Sequence, residues 1–392
     1  MRETSTVFSR YGTTIFTTMS ALARAQDAIN LGQGFPDDPG PDDVRQKAAD
    51  HALHGYNQYP PSGGLAELRE AVAHNGNRFF GLGVTADNVL VTSGGTEALA
   101  TALLGLINPG DEVVLIEPLY DSYLPIVELA GGVPKFVRLL PPGWALPQAE
   151  LEAAFSDKTK LVLLNSPMNP TGKVFTADEL DRIAALCRRF DAFAVCDEVY
   201  EHLSFGVPHL PLMARPGMAE RTVRIGSAGK TLSLTGWKVG YLTGPEPMIG
   251  ALAKVHQFLT FTTPPNLQSA VAFGLSKPES YFTGLAADLA AKRDRLAAGL
   301  QGAGYRVLQS DGTYFLTVDF SGTGFEGDDT AFCTTITTEA KVAAVPMSAF
   351  YAPQRASGVP LDPSATRCAR FCFCKKDAVL DEAIDRLRRF GL

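Results

Sequence analysis

Through the middle of the chain, short β-branched runs alternate with stretches whose apolar residues recur at helical spacing. The runs predict strands at Asn88–Thr92, Glu112–Ile116, Lys160–Leu164, Ala192–Cys196, Thr222–Ile225 and Val239–Thr243. Between them lie amphipathic segments such as Ala177–Arg189, with Leu180, Ile183, Ala184 and Leu186 on one face. Alternation at this spacing implies βαβ units, and so an α/β fold with a mostly parallel central sheet covered by helices. After about residue 276 the texture changes. A long helical pattern, Glu279–Gly302, leads into short runs at Tyr305–Leu308 and Thr313–Asp319 and a helix near Asp329–Ala340. Strands near Val342–Val345 and Cys368–Phe373 and a helix from Asp377 follow, which reads as a smaller α+β domain. The expected division is 1–40 as a segment packing with the small domain, 41–290 as the large domain and 291–392 as the small one. Ala352–Ala365 reads as a proline-containing loop without a period.

Length and charge narrow the classes. A chain of 392 residues fits two domains. Its 35 basic and 42 acidic residues give a net charge of −7, which disfavours nucleic acid or an anionic membrane as partner. The longest apolar stretch, Ala98–Ile107, is interrupted by Thr101 and Gly105 and is about half the length a membrane span needs. The opening Met1-Arg2-Glu3-Thr4-Ser5 has no apolar secretory core, so a cytoplasmic protein is expected. The 6 cysteines form no C-x-x-C pair and the 6 histidines are scattered, so no metal site is expected. Cys372 and Cys374 alternate on one face of a strand and read as buried reduced thiols.

Ligands of open α/β sheets bind beyond the carboxyl ends of the parallel strands. The predicted strands end in Ser93-Gly94-Gly95-Thr96, Glu117-Pro118-Leu119-Tyr120, Asn165 to Gly172, Asp197-Glu198-Val199-Tyr200 and Gly226-Ser227-Ala228-Gly229-Lys230. Together they bring an aromatic ring, an Asn, an Asp, a Tyr, a Ser, a Lys and a glycine-rich helix start to one sheet edge. Those types match pyridoxal phosphate. It needs an amine for its aldehyde, a carboxylate for its ring nitrogen, polar partners for its phenolic oxygen and a flat ring to stack on. Its phosphate needs a helix N-terminus, hydroxyls and a cation. Lys230, Asp197, Asn169, Tyr200, Tyr120, Gly94, Gly95, Thr96, Ser227 and Lys238 supply these.

Asn169-Pro170-Thr171-Gly172, Asp197-Glu198-Val199-Tyr200 and Ser227-Ala228-Gly229-Lys230, followed by Gly236-Trp237-Lys238, resemble class I aminotransferases of fold type I. Leu31-Gly32-Gln33-Gly34-Phe35-Pro36-Asp37 and Tyr120-Asp121-Ser122-Tyr123 are similar to the branch of kynurenine/glutamine, methionine and N-succinyldiaminopimelate aminotransferases. The resemblance runs from about Tyr11 to the final helix. It implies that Lys230 is the Schiff-base lysine and proton shuttle, that Asp197 pairs with the pyridine nitrogen, and that Asn169 and Tyr200 bind the phenolic oxygen. Tyr120 would stack on the ring. Ser93, Gly94, Gly95, Thr96, Ser227 and Lys238 would hold the phosphate, joined by Tyr59 from the other subunit of a homodimer. Arg370 would grip the substrate α-carboxylate, assisted by Gly34 and Asn169. Two departures separate the chain from the aspartate-specific branch: Lys238 stands where that branch has Arg, and Val255–Pro265 contains no Arg for a second carboxylate. Phe258, Phe261 and Tyr123 suggest an apolar or aromatic side-chain pocket instead.

Taken singly, each residue has an ordinary alternative: Lys230 a solvated turn lysine, Asp197 a helix cap, Asn169-Pro170-Thr171-Gly172 a turn, Arg370 a surface ion-pair residue. Five strand-end loops agreeing in order outweigh these. Gly226-x-x-Gly229-Lys230-Thr231 resembles a P-loop, but that motif's first glycine would fall at Arg224. Gly81-x-Gly83-x-x-Ala86 follows a helical stretch, where a dinucleotide fingerprint follows a strand. The expectation is a ping-pong aminotransferase moving the α-amino group of an L-amino acid to a 2-oxo acid such as 2-oxoglutarate. Its donor would be aromatic, methionine- or glutamine-like, or succinyl-diaminopimelate. A cysteine-S-conjugate β-lyase on the same site is the enzymatic rival, and a non-catalytic regulatory protein the rival of another class.

Overall fold

A computed structural model of the chain describes residues 5–391. Its strands, in chain order, are β1 (Ile29–Asn30), β2 (Val89–Thr92), β3 (Glu112–Glu117), β4 (Val133–Arg138), β5 (Thr159–Asn165), β6 (Phe193–Asp197) and β7 (Thr222–Ser227). There follow β8 (Gly240–Thr243), β9 (Arg306–Val307), β10 (Phe315–Asp319), β11 (Val342–Ala343), β12 (Val345–Pro346) and β13 (Cys368–Cys372). The central sheet has the order β2-β8-β7-β6-β5-β3-β4. Its pairs are parallel except that β8 runs against both β7 and β2.

Both faces of this sheet are buried, which is why its strands read as continuous apolar runs. Successive residues feed opposite layers. Val113, Leu115, Leu161 and Leu163 join the core under the helices Gly95–Leu106 and Tyr123–Leu129. Val114, Ile116, Val162 and Leu164 join the core that holds Leu180, Ile183 and Ala184 of the helix Ala177–Arg189. That helix begins on a reciprocal cap in which Thr176 Oγ1 accepts the Glu179 amide at 3.3 Å and Glu179 Oε2 accepts the Thr176 amide at 2.9 Å. Each fully buried Leu, Ile or Val contributes about 1.5–3 kcal/mol, so the two layers fix the register of the strands.

A second, antiparallel sheet of order β12-β13-β10-β9 packs with the helices Glu279–Gly302, Asp329–Thr338 and Asp377–Phe390 around a separate core that includes Leu296, Phe315, Phe332, Phe371 and Leu380. β1 pairs in parallel with β11, Ile29 opposite Val342, which ties the N-terminal segment to this second layer. Among the described residues no helix is long and apolar enough to cross a membrane. β4 was not among the expected strands, and the run from Val342 to Val345 divides into β11 and β12, which pair with different partners.

Candidate active site

The carboxyl ends of the parallel strands open onto a cavity of about 440 Å³. β6 ends on Asp197 and β5 on Asn165, side by side in register. Asn165 Nδ2 donates to the Asp197 carbonyl at 2.8 Å, and its Oδ1 accepts the Asn169 amide at 2.8 Å, which fixes the loop carrying Asn169. β7 ends on Ser227, and the single helical turn Ala228–Thr231 aims Lys230 into the cavity. β2 runs through Ser93 into Gly94, whose φ of +83° lets the chain turn into the helix Gly95–Leu106. A Cβ on Gly94 would stand 3.4 Å from Lys238 Cε and 3.5 Å from its Nζ, so the lysine lies over a helix N-terminus. Fixed amides, the helix dipole and a cation at one point form an anion site.

Lys230 Nζ donates to the Gly34 carbonyl at 3.3 Å and stands 5.4 Å from the ring centroids of both Tyr200 and Tyr314. Tyr314 also holds the lysine's backbone, donating to the Lys230 carbonyl at 2.9 Å. Burial lowers the proton affinity of Lys230, the field of Asp197 among others countering it, so its neutral amine is more accessible than on an exposed lysine. Asp197 is shifted the other way, burial raising its pKa against the hydrogen bond from Tyr123. Burial also holds the Tyr200 and Tyr120 hydroxyls protonated.

Arg370, on β13, is 1% exposed. Its Nη1 donates to Asn169 Oδ1 at 2.8 Å and its Nη2 to the Gly32 carbonyl at 2.5 Å. Its guanidinium sits 3.9 Å from the Phe315 ring centroid, 4.9 Å from that of Phe350 and 5.2 Å from that of Phe16. Burial pulls its pKa down to about 10, and it remains charged near neutrality. The Nε is buried without a partner among the described residues. An orphaned donor on a buried cation is costly unless an anion comes to it.

Of the residues singled out in the sequence, Gly34, Gly94, Gly95, Thr96, Tyr120, Tyr123, Asn169, Asp197, Tyr200, Ser227, Lys230, Lys238 and Arg370 line this cavity. Three do not. Ser93 turns away, its hydroxyl 3.2 Å from Thr263 Oγ1 and its amide on the Glu97 carboxylate. Tyr59 and Phe261 lie outside on the surface, edge to face at 5.3 Å. Tyr123, expected in a side-chain pocket, is buried with its hydroxyl on Asp197. The sequence reading did not single out Thr14, Phe16, Asn165 or Phe315, which also line the cavity. Asn165 carried a signal as the residue opposite Asp197 at the end of the neighbouring strand; the other three depend on contacts with distant segments.

Residues 26–387 match the family model of aminotransferase class I and II. The chain belongs to the class I and II aminotransferases. Methionine aminotransferase of Escherichia coli is 41% identical over 380 residues, covering 96% of each chain. Human kynurenine–oxoglutarate transaminase 1 is 38% identical over 406 residues, covering 94% of each. The solved structure of N-succinyldiaminopimelate aminotransferase from Mycobacterium tuberculosis superposes with a TM-score of 0.94 and 44% identity over 99% of this chain and 100% of that one. An aminotransferase of this class uses pyridoxal 5′-phosphate. The cavity fits it: an anion cradle at Gly94 and Lys238, a buried carboxylate at Asp197 and a half-buried amine at Lys230 face one space.

Proposed function

We propose that this aminotransferase transfers the α-amino group of an L-amino acid with an uncharged aromatic, thioether or amide side chain to a 2-oxo acid such as 2-oxoglutarate, in two alternating half-reactions. The observation that carries the reading is the set of cations in the cavity. Among the described residues they are Lys230, Lys238 and Arg370, and each has a task that leaves none for a carboxylate on a short side chain. The remaining wall includes Phe16, Phe35, Tyr120 and Phe315, with Asp121 as a further acid. A carboxylate one methylene from Cα would meet apolar rings and a like charge there. A longer side chain would reach the rim, where Phe35 is 45% exposed.

Pyridoxal phosphate, when bound, supplies a carbonyl carbon for the amino group and a ring that accepts electron density from the substrate Cα. In this reading Gly94, Gly95, Thr96, Ser227 and Lys238 hold the phosphate, Asp197 faces the ring nitrogen, and Asn169 and Tyr200 face the phenolic oxygen. Arg370 receives the α-carboxylate on donors that the protein leaves partly free, so the Cα–H bond is held towards Lys230. Lys230, its amine biased towards the neutral form, takes the proton from Cα and returns it on the far side of the exchange. The rings of Tyr200 and Tyr314 flank the amine, each centroid 5.4 Å from it.

Two finer features belong to the same reading. Tyr56, Tyr59, Phe258 and Phe261 are exposed, Tyr59 and Phe261 edge to face with each other, which suits burial against a second copy in a homodimer. The six cysteines are free and buried, which suits a reducing, cytoplasmic setting.

A panel of L-amino acids assayed with 2-oxoglutarate tests the substrate class. Phenylalanine, kynurenine, methionine or glutamine should exceed aspartate in kcat/KM by about 100-fold, the order expected for burying an unpaired charge. Aspartate as the best donor would contradict it.

A further inference from the structure

Tyr123 begins the helix Tyr123–Leu129 and is 1% exposed, so its hydroxyl is out of reach of solvent. It packs edge to face with Tyr120 at 5.7 Å. A side chain serving only to line an apolar wall would need no phenol oxygen. This oxygen lies 2.5 Å from Asp197 Oδ2, while among the described residues Asp197 Oδ1 accepts only the longer contact from the Val199 amide at 3.3 Å. Short bonds from a neutral hydroxyl to a buried carboxylate are charge-assisted and strengthen in a low-dielectric site. Burial keeps the phenol protonated, with the Asp197 charge acting in the same direction, so the bond has a fixed polarity from Tyr123 to Asp197.

We propose that Tyr123 is a positioning residue for the cofactor: its bond to Oδ2 fixes the rotation of the Asp197 carboxylate and holds it as an anion, so that a proton shared with the pyridine nitrogen resides on the nitrogen. The proposal rests on the assignment of Asp197 to that nitrogen made above. Without the hydroxyl, Asp197 becomes the stronger base of the pair, the proton moves towards its oxygen, and the ring draws less electron density from Cα. Nothing is added or lost; one proton changes its seat along one hydrogen bond.

The test uses full-length protein reconstituted with pyridoxal phosphate carrying nitrogen-15 in the ring. In the wild type the nitrogen resonance should lie in the pyridinium range, and in Tyr123→Phe it should move towards neutral pyridine. The rate of Cα–H exchange in the same variant should fall about tenfold, as for loss of one hydrogen bond to a charged group, with KM for the donor nearly unchanged. In an Asp197→Ala background the Tyr123→Phe change should alter neither quantity. If Tyr123→Phe does not accumulate folded, Tyr123→3-fluorotyrosine keeps the ring and donates more strongly, and should move the resonance further towards pyridinium. A wild-type pyridinium signal that is the same in the variant would overturn the proposal alone. A wild-type protein that takes up no pyridoxal phosphate would overturn it together with the assignment on which it rests.

Discussion

Arg370 and Asn169, 201 residues apart in the chain, are joined by a hydrogen bond of 2.8 Å between Nη1 and Oδ1. The bond crosses from the antiparallel sheet to the loop after β5, so in the proposed reading the receptor for the substrate carboxylate on one layer is indexed to the edge that would hold the cofactor on the other. Nη2 meanwhile holds the Gly32 carbonyl at 2.5 Å, which adds the N-terminal loop to the same joint.

Arg370→Lys should therefore damage substrate positioning more than cofactor retention. Lysine offers a point charge where a planar fork stacks on Phe315 and divides its donors between Asn169 and the Gly32 carbonyl. Losing one or two hydrogen bonds to a charged group should lower kcat/KM for the amino donor about 10–100-fold. Steady-state kinetics together with the visible absorbance of the reconstituted variant check this, and an unchanged kcat/KM would contradict the role.

The proposed phosphate cradle gives a different expectation. Gly94→Ala adds a Cβ at a φ of +83°, 3.4 Å from Lys238 Cε. The strained turn and crowded lysine should weaken pyridoxal phosphate binding about tenfold or more while the apoprotein remains folded. Equilibrium dialysis of the cofactor measures the first, and circular dichroism the second.

His256 and Glu97 supply a pH test of stability. His256 Nδ1 lies 2.5 Å from Glu97 Oε1, and its Nε2 meets the Ser62 carbonyl at 2.9 Å. Burial opposes the charged imidazole, but the Glu97 carboxylate and the carbonyl outweigh it, so the folded pKa lies above the ordinary value. A raised folded pKa stabilises fully below the unfolded value of about 6.5 and loses that contribution as pH rises through the folded one. Urea unfolding of wild type against His256→Gln should show a larger difference at pH 6 than at pH 9. An equal difference at both would show that the histidine acts by packing alone.

Behind the site, Arg224 donates from Nε to Glu198 at 2.7 Å and from Nη2 to Glu201 at 2.7 Å, with all three side chains buried. Removing the shared cation leaves two carboxylates without their charge partner. Arg224→Met should cost about 3–5 kcal/mol of stability and lower the melting temperature by several degrees. Calorimetry of the apoprotein is the check, and an unaltered melting temperature would contradict it.

Much of the central sheet was readable because strands buried on both faces are written as uninterrupted apolar runs. Ala177–Arg189 was readable to its ends because its cap and its stripe are both local. β4 escaped because Val133-Pro134-Lys135-Phe136-Val137-Arg138 mixes a proline and charges into the run. It is an edge strand paired only with β3, where a missing amide and a polar outer side are tolerated. The loop from Ala352 showed no pattern because what anchors it is distant: the Ala352 amide bonds the buried Glu117 carboxylate and Tyr351 donates to the Leu139 carbonyl. The same limit applies within the cavity. The strand-end loops pointed to this cavity, whereas Phe16 and Phe315 reach it from the N-terminal helix and the second sheet. The hydroxyl of Tyr123 and its carboxylate partner are 74 residues apart, so no local spacing connects them.

The most direct test of the account is reduction of the reconstituted protein with borohydride, followed by peptide mass mapping. A phosphopyridoxyl group on Lys230, absent from Lys230→Ala protein that folds but does not turn over, is the predicted result. A label on another lysine, or amino-group transfer at the wild-type rate in Lys230→Ala, would contradict it.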